Sequence, residues 1–181
     1  MSRMPQVIRP IDLSQQVHNY LVPEHGITIK SGKDLLSLLR EAQRWETAFE
    51  SLSEWEGFLV VRDEAIGQLL RRLISESNVH ERMIESMVRM VKTTTDSSPR
   101  VVDNSQLTLE GQDEMALLVR LQKSELMVHD LYQDIRSALE TSDLKTLMDP
   151  KNVSVFLKNL DSLVAAEAKH YELVTECIAK R

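Results

Sequence analysis

Glu167 and His170 stand three residues apart in a segment, VAAEAKHYELV at 164–174, that otherwise has the pattern of an apolar helix face. Leu160, Leu163, Val164, Tyr171, Val174 and Ile178 recur at helical spacing, and Glu167 falls on their centre line at about 100° per residue. A carboxylate there must be paired, protonated or bound to a cation, because burying it alone is costly. The same question arises on three other stretches. Glu46 interrupts an apolar stripe between Ala42 and Phe49. Ser77 and His80 lie inside the stripe that runs from Leu73 to Ile84. Glu125 lies between Leu121 and Val128, with Tyr132 two turns beyond it and His129 at the edge of the same face.

Taken singly, each of these has an ordinary explanation: a glutamate at a stripe's border, or a hydrogen-bonded core histidine. Together they are harder to set aside. Uncompensated buried carboxylates are rare, and Glu46, Glu125 and Glu167 converging on His80 and His170 would repel one another unless a cation sat between them. Mixed carboxylate and imidazole ligation suits iron, manganese or zinc.

The elements that must carry these residues are helices. Residues 1–31, with Pro5, Pro10, Pro23 and Gly26, read as an irregular N-terminal arm, and 32–181 as a bundle. Ser31 to Asp34 has capping-box spacing and opens a first helix over 33–56. A second is expected over 61–92 and a third over 109–140. Asp149 and Pro150 have the N-cap and first-turn chemistry of a fourth, over 150–180. Between the second and third, KTTTDSSPRVVDNSQ at 92–106 is polar and contains a proline. A helix of about 30 residues is about 45 Å long, and a fifteen-residue segment extends to about 50 Å. The connection is long enough to cross the bundle, so helices two and three would run in the same direction; an idle loop of that length fits the pattern equally. The fold class expected is all-α, a four-helix bundle with one long crossover between helices two and three.

Composition agrees. The chain has 181 residues, enough for one sizeable core. Five Gly and five Pro are too few to punctuate many strands. A formal net charge of −6 without a basic run argues against nucleic-acid binding. No apolar run approaches membrane-spanning length and no signal-peptide core is evident, so the expectation is a cytoplasmic protein without a membrane partner. Cys177 is the only cysteine, which excludes an internal disulfide and suits a reducing compartment.

In this arrangement the chain resembles the ferritin-like di-iron carboxylate proteins, rubrerythrin among them. Those are four-helix bundles with one long crossover, bearing a lone Glu on two helices and Glu-x-x-His on the other two. Glu46 and Glu125 correspond to the lone glutamates, and Glu167-Ala168-Lys169-His170 to one complete motif. The other motif reads Ser77-Asn78-Val79-His80, with serine in place of the bridging glutamate. Glu76 and Glu81 flank that stripe off its centre and are possible substitutes.

The resemblance implies a metal-binding protein, an oxidase or peroxidase-type enzyme or an iron-handling protein. Its ligands would be Glu46, His80, Glu125, Glu167 and His170, with Ser77, Tyr132 and His129 around them. It has no Cys-x-x-Cys pair for an electron-transfer module, so a separate electron donor is expected, as is a homo-oligomer, a dimer. The contrasting expectation is a bundle that has lost its metal and acts as an interaction module. Met83, Met87, Met90, Met115 and Met127 would then supply adaptable apolar surface, although Met87 and Met115 read as core filling.

Overall fold

The computed structural model describes residues 27–50, 61–92 and 113–181. Their elements are α1 (Gly32–Glu50), α2 (Glu64–Val88), α3 (Glu114–Glu140), a single turn α4 (Leu144–Leu147) and α5 (Pro150–Ala179). These residues are all-helical apart from connections, with one antiparallel bridge between Val91 and Met148. None of the described helices is long and apolar enough to cross a membrane.

Each start has a side-chain cap. At α1, the Asp34 amide donates to Ser31 Oγ (3.3 Å), while Asp34 Oδ2 accepts from the Lys30 amide (3.1 Å). This is the expected reciprocal cap, displaced by one residue on its return arm. Asp63, Asp113, Asp143 and Asp149 cap the other four helices by accepting from amides in the first turn. Such caps satisfy donors that a helix leaves unpaired. The second helix therefore begins at Glu64 rather than 61 and ends at Val88 rather than 92. The third is described from Asp113 onward; the expected start at 109, the end of the first helix at 56 and the arm up to residue 26 lie outside the described residues. Residues 27–31 are already part of the fold: Ile29 is buried in the core, and its carbonyl accepts from Ser142 Oγ at 3.0 Å. Helix α4, inserted before Pro150, was not expected.

The helices pack as two antiparallel pairs. Gly32 at the start of α1 lies against the Lys92 carbonyl just beyond α2, and Gln43 Nε2 reaches Glu81 (3.4 Å). On the other pair Arg136 Nε donates to Asp161 (2.8 Å) and Gln122 Nε2 to Thr175 (2.7 Å), the register of an antiparallel α3–α5 contact. The backbone amides of Arg62 and Asp63 donate to Glu114 Oε1 (2.7 and 3.0 Å), and Arg181 pairs with Asp63 (2.8 Å). The starts of α2 and α3 thus share one end with the chain's last residue. At the other end the Lys92 amide donates to the Leu147 carbonyl (2.7 Å), beyond α3. Helices α2 and α3 therefore run in the same direction, as the reach of the connection suggested; residues 93–112, which join them, lie outside the described residues.

One core runs between the pairs, with Leu39, Leu73, Ile84, Leu118, Ile135, Phe156 and Leu163 fully buried. Glu46, Ser77, His80, Glu125, Glu167 and His170 are buried with them.

Candidate metal centre

Four helices each contribute to one polar island. Its aliphatic surroundings follow from helical spacing: Ala42, Leu73, Ile84, Leu121, Leu163 and Val174 are buried one turn before or after a polar position on the same face. Glu167 of α5 sits between the two imidazoles. Its Oε1 lies 2.7 Å from His80 Nδ1 and its Oε2 3.5 Å from His170 Nδ1. Glu46 Oε1 approaches His80 Nδ1 at 3.5 Å, and Glu125 Oε2 approaches His170 Nδ1 at 3.3 Å. The rings stack with centroids 5.4 Å apart and planes inclined by 26°. The cluster thus has two halves that share Glu167: Glu46 with His80, and Glu125 with His170.

Around these five, the structure separates the remaining candidates. Tyr132 is fully buried, and its hydroxyl donates to Glu46 Oε1 at 2.8 Å. Ser77 is buried one turn before His80 and offers a hydroxyl where a carboxylate would be needed to reach the pocket as an anion. His129 is not brought to the island. Its side chain is 18% exposed and its Nδ1 lies 3.0 Å from Asp130 Oδ1, at the stripe edge where helical rotation turns it outward. Glu76 does reach the cluster. Although its side chain is 36% exposed, Oε2 lies 2.6 Å from His170 Nε2, and Oε1 accepts from Arg72 Nε at 2.7 Å. The wheel places its Cα off the stripe's centre, and the length of the side chain makes up the difference. Glu81, the other flanking carboxylate, turns to Gln43 and Thr47 instead.

The electrostatics are those of a crowded pocket. Burial pushes the His80 imidazole down, but the carboxylates of Glu167 and Glu46 outweigh it and raise its pKa to about 9. His170 is likewise raised to about 11, with Glu125 and Glu167 opposing its burial. Burial raises Glu125 to about 8 against the pull of His170, and raises Glu46 as well. Glu167 goes the other way, to about 2, because two imidazoles overcome the desolvation of its carboxylate. Without a cation, then, the cluster balances charge by keeping protons on its imidazoles and on part of its carboxylates.

Within the cluster, His80, Glu167 and His170 form a group that could hold a metal ion. Carboxylate and imidazole together suit first-row transition metals. Two donors about 2.1 Å from one ion lie about 3.0–3.4 Å apart, and the four contacts of the imidazole Nδ1 atoms with carboxylates here span 2.7–3.5 Å. His80, Glu167 and His170 each present a donor atom within 4.8 Å of the others. Most telling, His80 Nδ1, Glu125 Oε2 and Glu167 Oε1 are buried and make no hydrogen bond of sound geometry. His80 Nδ1 and Glu167 Oε1 lie 2.7 Å apart and Glu125 Oε2 lies 3.3 Å from His170 Nδ1, so each atom faces a charge partner without a well-aligned hydrogen bond.

The chain matches no family model, no curated protein and no solved structure.

Proposed function

We propose that this chain is a ferritin-like metal-binding protein that holds iron, or alternatively manganese or zinc, between Glu46, His80, Glu125, Glu167 and His170. We propose further that it works as an oxidase or peroxidase-type enzyme or in iron handling. The observation that carries the reading is the convergence, from three helices, of three buried ligand atoms that make no well-aligned hydrogen bond: His80 Nδ1, Glu125 Oε2 and Glu167 Oε1. A bound iron ion would supply electron exchange with oxygen or peroxide.

The chain's own residues supply the rest. Glu167 directs one carboxylate oxygen to each half of the cluster. Tyr132 orients Glu46 through its hydroxyl. The aliphatic turns above and below keep bulk water from the carboxylates, which strengthens their hold on a cation. His80 and His170 must release protons to ligate, so affinity rises with pH. A homodimer and a separate electron donor complete the proposal; the donor is needed because Cys177 is the only thiol and no Cys-x-x-Cys pair is present.

Metal analysis after aerobic purification and after loading with ferrous iron tests the reading. One to two ions per chain are expected, lost when His80 and His170 are both replaced by alanine. A wild-type protein that stays metal-free after loading contradicts it. The second reading, an interaction module, would then take its place. It is favoured by outward apolar residues on three helices: Val79, Val119, Leu126, Val155 and Met115, the last 38% exposed rather than core filling, unlike Met87, which is fully buried.

A further inference from the structure

The two halves of the cluster are built unequally. On one side, His170 is held from outside the pocket: its Nε2 lies 2.6 Å from Glu76 Oε2, and Glu76 is itself anchored by Arg72. A neutral imidazole has one N–H and one lone pair. When His170 releases a proton to ligate, Nε2–H stays with Glu76 and the lone pair falls on Nδ1, the nitrogen facing Glu125 Oε2 and Glu167 Oε2. Glu125 Oε2, buried, lies 3.3 Å from that nitrogen. On the other side, Glu46 Oε1 is already engaged by Tyr132, and the position one turn before His80 is Ser77, not a carboxylate.

We propose that Glu76 is a positioning residue that presets the His170 ring and so makes Glu125, Glu167 and His170 the primary cation site of the cluster, any second ion going to Glu46 and His80. The proposal rests on the metal-centre reading above. Its physics is preorganisation. A ligand ring held at Nε2 by an outer carboxylate needs no reorientation on binding and gives up its proton from Nδ1, and such outer partners typically contribute 10–100-fold in metal affinity. A second ion gains less, since Glu167 already shares its charge and no carboxylate at position 77 offsets repulsion between two cations.

The test is titration of the full chain with zinc alone, by calorimetry with a competing chelator, for wild type, Glu76→Gln and Glu76→Ala. Zinc-loaded samples are also compared by 15N histidine spectra. Glutamine keeps an acceptor for Nε2–H, whereas alanine removes it. Expected is one tight ion per chain, or two in unequal steps. The tight step should weaken about 10–100-fold in Glu76→Ala and recover most of that loss in Glu76→Gln. The His170 signal should report Nδ1 ligation with Nε2–H in wild type and Glu76→Gln, and a mixture in Glu76→Ala. Two equal steps, or a tight step indifferent to Glu76→Ala, overturns the assignment and leaves the metal centre standing. A wild-type protein that takes up no zinc overturns both.

Discussion

Ser77 and Glu76 are neighbours on α2, yet the buried one carries only a hydroxyl and the half-exposed one brings a carboxylate to the cluster. Ser77→Glu would add a fourth buried carboxylate beside Glu46, Glu125 and Glu167. Without metal, that substitution should lower the thermal midpoint, because like charges in a dry pocket raise each other's pKa. Ferrous iron should restore it more than it raises wild type, since a ligand bound only by the folded state stabilises by mass action. Equal iron responses in the two proteins would mean that position 77 does not face the ion. Tyr132→Phe tests the other side of the pocket. It leaves Glu46 Oε1 without its donor and should cost about 1–3 kcal/mol in denaturant unfolding of the metal-free protein. An unchanged midpoint would show that the hydroxyl has no such role.

The pH dependence of the metal-free protein follows from the same residues. His80 and His170 bind protons more tightly when folded than at the ordinary 6.5. Their contribution to stability is fully present below about 6.5 and is lost as pH rises through about 9 for His80 and about 11 for His170. Glu125, raised from 4.5 to about 8, also makes stability fall as pH rises between those values. Glu167 acts oppositely: its contribution is complete above 4.5 and is lost only as pH falls towards about 2. With a chelator present, the thermal midpoint should decline from pH 6.5 to 9. With zinc the decline should shrink or reverse, because the ion replaces the departing protons. Identical pH profiles with and without zinc would contradict this.

At the scale of elements, the starts marked by local capping residues were legible. Asp149–Pro150 and Ser31–Asp34 are local signals, since a cap needs only its own first turn, and the helices begin where those residues imply. The start of α2 was missed by three residues because Asp63 caps it without a proline or a matching acid to mark it. Helix α4 left no periodic trace, being a single turn closed by Asp143. Two glycines separate packing from propensity. A Cβ at Gly32 would collide with the backbone carbonyl of Lys92, which cannot swing away as a side chain can. Gly32→Ala should therefore destabilise by about 1–3 kcal/mol. Gly67, inside α2, faces only the guanidinium at the far end of the Arg71 side chain, at 3.4 Å, so Gly67→Ala should stabilise by about 0.5–1 kcal/mol. Chemical unfolding of both variants checks the pair; the same sign for both would refute this account of the bundle's closed end.

At the scale of the molecule, the shared direction of α2 and α3 was legible from the length of one connection, because two rod-like helices leave few ways to bridge their ends. Spin labels at positions 64 and 114 should give a short distance, and labels at 88 and 114 one of about 37 Å, the length of α2. The reverse order would mean antiparallel neighbours. The five inward polar residues were legible for a related reason: a helix face is periodic, and a charge on its centre line has nowhere else to go. Glu76 and His129 sit near stripe edges, where a few tens of degrees and the length of a side chain decide, and sequence spacing resolves neither. The central claim is that these five residues form a cation site. Anomalous scattering from crystals soaked in zinc tests it most directly. The account predicts a peak between Glu125, Glu167 and His170, with any second peak beside Glu46 and His80. A bundle core without a peak, while zinc binds only at the surface, would contradict it.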